Sequence, residues 1–212
     1  MAIKIVFLDC DGTLTTVKSS WEYLHRRLKL WTDNADEYQA LFRQGAIDYH
    51  EFCRRDALLW RGLPVANVES VIHEIPYQRG AAELVGRLRD SGIITVVVST
   101  GLSILVEKVR KELSIDFSFS NDLLSRDGCL SGEIRVNVDY DLKGPIVRRT
   151  LQRCGLSYEE ASAVGDGEGD RGMFEEVCLP IAFNTNGDSL NFPGRTVYIE
   201  DLCAAKSFLG VA

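Results

Sequence analysis

No apolar stretch in the chain approaches the roughly 18 residues that a membrane-spanning helix needs, so no membrane partner is expected. Proline is scarce, at five in 212 residues, and neither a low-complexity tract nor an internal repeat is present, which excludes collagen-like and mostly disordered chains. An excess of positive charge is also missing. Lys and Arg number 24 against 31 Asp and Glu, a formal net charge of −7, which argues against nucleic acid or an anionic membrane surface as the main partner. The three histidines, His25, His50 and His73, stand at no metal-ligand spacing from one another or from a cysteine, so a zinc site is not expected. Six scattered cysteines form no Cys-x-x-Cys pair, and the short apolar start before Asp9 reads as a buried strand rather than a secretory leader. The thiols are therefore expected to be reduced and the protein cytoplasmic.

With 45% hydrophobic and 26% charged residues, the chain has the composition of a globular protein, and its length fits one compact unit with a modest insertion. Apolar, partly β-branched runs predict short strands at Ile3 to Leu8, Ile93 to Val98, Ala161 to Val164, Leu179 to Phe183 and Thr196 to Ile199. Amphipathic helices are predicted between them, at Ala81 to Asp90, Ile104 to Leu113, Gly144 to Arg153 and Arg171 to Val177. This alternation predicts an α/β fold with a doubly wound, mostly parallel sheet. Residues 18–78 break the rhythm with three or four helical patterns and no convincing strand, so they are read as a small helical cap inserted into a core of residues 1–17 and 79–212. Ser20 is the expected N-cap of the first cap helix, and Asp48 with Glu51 a capping box for another that runs to Leu59. Asp127-Gly128 within Ser125 to Glu133 predicts a β-hairpin.

In open α/β sheets the ligand crevice lies at the carboxyl ends of the strands. At those positions stand Asp9-Cys10-Asp11-Gly12-Thr13, Ser99-Thr100-Gly101 and Gly165-Asp166-Gly167-Glu168-Gly169-Asp170, with Lys143-Gly144 opening a later helix. Four acids cannot stay charged together without a cation, and carboxylate oxygens suit Mg²⁺. The set supports phosphoryl transfer: Asp9 as carboxylate nucleophile, Asp11 as acid and base, and Lys143 with the Ser99 hydroxyl, beside Thr100, around the phosphoryl oxygens. A dinucleotide loop at Gly165 to Asp170 is disfavoured because that fingerprint should follow the first strand. A calcium loop is disfavoured because Arg171 stands where it needs glycine.

Asp-x-Asp-Gly-Thr, a serine after a hydrophobic strand, a lysine and Gly-Asp-Gly-x-x-Asp, in this order, resemble the haloacid dehalogenase superfamily of phosphatases over nearly the whole chain. The helical cap, the hairpin and Lys143-Gly144 before an amphipathic helix look like its phosphoserine phosphatase branch. The resemblance implies that Asp9 is nucleophile and Mg²⁺ ligand, that Asp11 is acid/base and lends the metal its backbone carbonyl, and that Ser99 and Lys143 bind phosphate. It implies further that Asp166 ligates Mg²⁺ and that Asp170 supports the metal's ligands. The expected substrate is a small soluble phosphate ester, phosphoserine first, with a sugar, polyol or nucleotide phosphate or a phosphomutase reaction as alternatives, in a monomer or homodimer. A dehalogenase, which has no need of Asp11, and a non-catalytic binding relative are both disfavoured.

The chain departs from that branch in its cap, where a glutamate and an arginine hold the substrate's amine and carboxylate. Here Lys18 and Asp56 align with those positions, so the two partner signs are swapped, and Arg55, Arg54 or a reversed substrate pose is left to meet a substrate carboxylate. Thr100 replaces a usual glycine and Gly169 a common asparagine. Trp21, Trp31, Trp60, Phe42, Tyr49 and Phe52 are read mainly as the cap's own core, with a pocket lining as the alternative. Cys10 is read as core filler between the two aspartates.

Overall fold

The computed structural model describes residues 2–30, 33–185 and 192–211, and of residues 33 and 34 the backbone. Seven strands form one sheet in the order β4-β3-β2-β1-β5-β6-β7: β1 (Ile5–Leu8), β2 (Ile94–Leu102), β3 (Phe117–Arg126), β4 (Cys129–Arg135), β5 (Ala161–Gly165), β6 (Leu179–Phe183) and β7 (Val197–Ile199). All neighbouring pairs are parallel except β3 with β4. β1 is central and buried on both sides, which is why its sequence is an unbroken apolar run. Its alternate residues enter two cores. Val6 and Leu8 pack with helices α5 (Ala81–Asp90) and α6 (Ser103–Leu113), while Ile5 and Phe7 pack with α7 (Lys143–Cys154) and α8 (Arg171–Glu175) on the other face. A short α9 (Ala205–Leu209) follows β7.

Between β1 and α5 the described residues hold four helices, α1 (Ser20–Arg27), α2 (Asp33–Arg43), α3 (Tyr49–Leu59) and α4 (Val65–His73), and no strand of the sheet. Their apolar residues, Trp21, Leu24, Cys53, Trp60, Val68 and Ile72, join the core on the α5/α6 face. Trp21 and Trp60 stack with ring centres 5.3 Å apart. Trp31 lies outside the described residues. Asp48 caps α3 as expected, accepting from the Glu51 N–H at 2.8 Å. The cap of α1 is Ser19 rather than Ser20: the Ser19 hydroxyl accepts from the Glu22 N–H, while Ser20 turns its hydroxyl to Asp11.

The hairpin turns at Asp127 and Gly128, both with positive φ, as a two-residue turn of the right twist requires. Its first strand, β3, is ten residues long and also pairs in parallel with β2, so it extends the main sheet. The serines and the asparagine of Phe-Ser-Phe-Ser-Asn dilute the apolar signal of this half-exposed strand.

Candidate active site

Asp9 follows β1 directly, its backbone N–H still bonded to the Val164 carbonyl of β5 at 2.9 Å. That pairing sets Asp9 beside the end of β5, after which come Asp166 and Asp170. Lys143, the first residue of α7, is buried between them: its Nζ donates to Asp9 Oδ1 at 2.5 Å and to Asp170 Oδ1 at 2.6 Å. Asp170 Oδ2 accepts from the N–H groups of Asp166 and Gly167, at 2.9 and 3.1 Å, so one carboxylate fixes both the lysine and the loop that carries Asp166. Carboxylate oxygens of Asp9, Asp166 and Asp170 lie within 4.8 Å of one another. Three hard oxygen donors at that spacing fit a divalent cation of the Mg²⁺ type.

Gly12 lets the chain turn back onto this cluster. Its φ of +82° and a hypothetical Cβ only 2.3 Å from Asp166 Oδ2 leave no room for a side chain. Thr13, two residues after Asp11, donates its hydroxyl to Asp166 Oδ1 at 3.1 Å, and Lys18 Nζ donates to Asp166 Oδ2 at 2.5 Å. Lys18, expected in the cap at a substrate position, therefore sits against a member of the acid cluster, with its side chain 58% exposed.

Asp11 points elsewhere. Its Oδ2 accepts from both the backbone N–H and the hydroxyl of Ser20, each at 2.7 Å, and its Oδ1 is buried without a hydrogen-bond partner among the described residues. The expected four-acid cluster thus contains three acids, and the fourth is tied to the start of α1. Burial raises the pKa of Asp11 above its ordinary range despite the Ser20 hydrogen bonds that lower it. Burial likewise raises Asp9, against the pull of Lys143, and Asp166, with the Asp170 charge adding to the effect. Burial alone would lower Lys143, but the charges of Asp170 and Asp9 outweigh it and hold the ammonium well above its usual range.

Ser99 is buried behind the site, its hydroxyl accepting from the Gly101 N–H at 2.9 Å. A Cβ on Gly101 would come within 2.9 Å of Asp11 Oδ2 and 3.0 Å of Ser99 Oγ, so the Ser99 end of β2 adjoins Asp11. Thr100 lines the cavity. Its carbonyl accepts from Trp21 Nε1, the Tyr49 hydroxyl and Asn121 Nδ2, at 3.2, 2.8 and 3.0 Å, which anchors α1, α3 and β3 to one strand end.

A cavity of about 1010 Å³ opens over the acids, roofed by α1, α2 and α3. Trp21, Phe42, Tyr49 and Phe52 line it while also packing on one another, so the cap aromatics serve both as core and as wall. Asp56 lines it too, at 4% exposure. Arg55 does not. Its Nε donates to Glu51 Oε1 at 2.7 Å and its guanidinium lies 5.3 Å from the centre of the Tyr38 ring, partners that are themselves outside the cavity lining. Arg54 is held by Glu51 as well.

Three residues of the site carry little signal in the sequence. Ser20 has the pattern of a helix cap, and Thr13 stands within the Asp-x-Asp-Gly-Thr motif without a role of its own. Asn121 has no local signal, because the half-exposed strand that carries it lacks a clear apolar period. Fully buried, Asn121 donates to Thr100 and Val138 carbonyls and accepts from the N–H groups of Asn137 and Val138, joining β3 to the segment before α7.

Residues 6–175 match the haloacid dehalogenase-like hydrolase family, to which the chain belongs. Within it the chain is a phosphatase of the phosphoserine phosphatase-like kind, judged by the relatives it matches. It is 37% identical over 210 residues to a phosphoserine phosphatase of Archaeoglobus fulgidus, covering 97% of this chain and 60% of that one. It is 31% identical over 186 residues to a phosphoserine phosphatase of Methanocaldococcus jannaschii, covering 85% of each. Among solved structures, a phospho-aspartyl intermediate analogue of phosphoserine phosphatase superposes with a TM-score of 0.81 at 26% identity, covering 99% of this chain and 100% of the other. A substrate-bound phosphoserine phosphatase complex gives 0.82 at 25% identity, with 99% of each chain covered. No helix among the described residues is long and apolar enough to cross a membrane.

Proposed function

We propose that the protein is a Mg²⁺-dependent phosphomonoesterase that hydrolyses a small phosphorylated metabolite of the phosphoserine type through an aspartyl-phosphate. The observation that carries this reading is Lys143 bridging Asp9 and Asp170 at the floor of a cavity whose wall holds a second, separately tethered acid, Asp11. Asp9 attacks phosphorus with its carboxylate, and the Lys143 ammonium beside it favours the ionised form against the burial that opposes it. Asp11 gives a proton to the departing alcohol and later takes one from water. Ser20 ties down its Oδ2 and leaves Oδ1 for that exchange, and burial favours the protonated form the first step needs. Thr100 and Ser99, with Lys143, are the residues proposed to surround the phosphoryl oxygens. Asp9, the Asp11 backbone carbonyl and Asp166 would hold the Mg²⁺, with Asp170 bracing them. When bound, the ion neutralises charge on the phosphoryl oxygens.

We read residues 18–78 as a cap on a core of residues 1–17 and 79–212, because the cavity lies between the two sets of elements. A cytoplasmic monomer or homodimer without nucleic-acid or membrane partners is the reading in keeping with the net charge of −7 and unpaired cysteines. Release of inorganic phosphate from phosphoserine in the presence of Mg²⁺ tests the function. Absence of release from phosphoserine and from every other small ester of a metabolite panel would overturn it.

A further inference from the structure

Ten carboxylates line the cavity against three cationic side chains, Lys18, Arg43 and Lys143, among the described residues. Two of those three cations are already engaged, Lys143 by Asp9 and Asp170 and Lys18 by Asp166. The cavity as a whole is therefore strongly anionic, and Asp56 adds a buried carboxylate to its cap side.

Tyr49, Phe52 and Asp56 stand at i, i+3 and i+7 on α3, so they share the helix face that looks into the cavity. An aromatic stripe is interrupted there by one buried carboxylate. Asp56 Oδ2 lies 3.5 Å from His25 Nε2. His25 Nδ1 accepts from Trp60 Nε1 at 3.2 Å, which leaves the imidazole proton on Nε2, facing Asp56. Asp56 Oδ1 is buried and has no hydrogen-bond partner among the described residues. A carboxylate oxygen left unpaired beside a cavity and among aromatic rings is a receptor for a cationic N–H donor, and the ring faces add their own attraction for such a cation.

We infer that Asp56 receives the ammonium of the substrate, so that the esters this site selects are small phosphomonoesters carrying an amine. The inference rests on the phosphatase reading above and deepens it. It assigns substrate choice to one residue of α3, and the sign of the charge it prefers follows from that residue.

The test compares phosphoserine with its des-amino analogue, 3-phosphooxypropanoate, in Mg²⁺ buffer. These esters keep the same phosphate and carboxylate and differ only in the ammonium. Wild type should favour phosphoserine in kcat/KM by roughly tenfold or more, the scale of one lost charge-assisted hydrogen bond. In Asp56→Asn the ratio of the two values should fall close to one, mainly through the KM of phosphoserine. Because the readout is a ratio, a general loss of activity or folding in the variant does not imitate it. Equal kcat/KM for the two esters in wild type, or an unchanged ratio in Asp56→Asn, would overturn the inference while leaving the phosphatase reading standing. No turnover of any ester, p-nitrophenyl phosphate included, would overturn both.

Discussion

Ser20 donates its backbone N–H and its hydroxyl to the same oxygen of Asp11, each at 2.7 Å. The first residue of a cap helix thereby orients the proposed acid/base, and the position of the cap becomes a condition of proton transfer. Ser20→Ala removes one of the two hydrogen bonds and lets the carboxyl turn. The expected outcome is a fall in kcat of roughly tenfold with KM little changed, since one hydrogen bond to a charged group is worth about 1.5–3 kcal/mol. Steady-state kinetics on phosphoserine checks it, and an effect confined to KM would contradict the orienting role.

Asp11→Asn should slow turnover of alkyl esters by roughly 10²–10⁴-fold, the usual contribution of general acid–base catalysis. With p-nitrophenyl phosphate, whose leaving group needs no proton, phosphorylation of Asp9 should stay fast while hydrolysis is slow. A burst of p-nitrophenolate matched to enzyme concentration is the expected signature. A burst-free variant slowed equally on both kinds of ester would argue against two separate roles for Asp11.

Lys143→Met leaves Asp9 and Asp170 buried without their shared cation, and breaking a buried ion pair from one side costs about 3–5 kcal/mol. For a chain of this size the melting temperature should fall by roughly 10 °C in metal-free buffer. Adding Asp170→Asn to Lys143→Met removes one stranded charge and should recover part of the stability, though not the activity. A double variant less stable than the single one would contradict the compensation.

The raised pKa values of Asp9, Asp11 and Asp166 set a sign for pH. The folded metal-free protein holds these protons more tightly than the unfolded chain does, for which the ordinary value is 3.8. The stability this lends is complete below 3.8 and is lost as pH rises through the raised values. Mg²⁺ needs the acids ionised, so its stabilisation should grow with pH over the same window. Melting temperatures with and without Mg²⁺ should therefore differ more at about pH 7.5 than at about pH 5. An equal or larger shift at the lower pH would contradict this.

The acids and the lysine were legible in the sequence because each follows or precedes an apolar element with a strong period, and the sheet brings strand ends together. β1 and β6 read clearly for the same reason, being buried runs of few residues. What the sequence left hidden depends on tertiary direction. Nothing local shows that Asp11 turns to Ser20 while Asp9 turns to Lys143, although the two lie two residues apart. Asn121 sits on a strand whose alternation is blurred by partial exposure on both faces. The choice between Arg55 and Asp56 as a cavity residue is a matter of about 100° of helix rotation, decided by how Tyr49 and Phe52 seat α3 on the aromatic wall.

In the proposed reaction phosphate leaves the substrate by way of Asp9. Asp9→Asn keeps the shape of the side chain and removes the carboxylate that attacks. Acid-quenched wild type, mixed with excess phosphoserine and Mg²⁺ and read by intact mass, should carry one phosphoryl group on a fraction of the chains, and Asp9→Asn should carry none and release no inorganic phosphate. Near-normal phosphate release by Asp9→Asn would contradict the account.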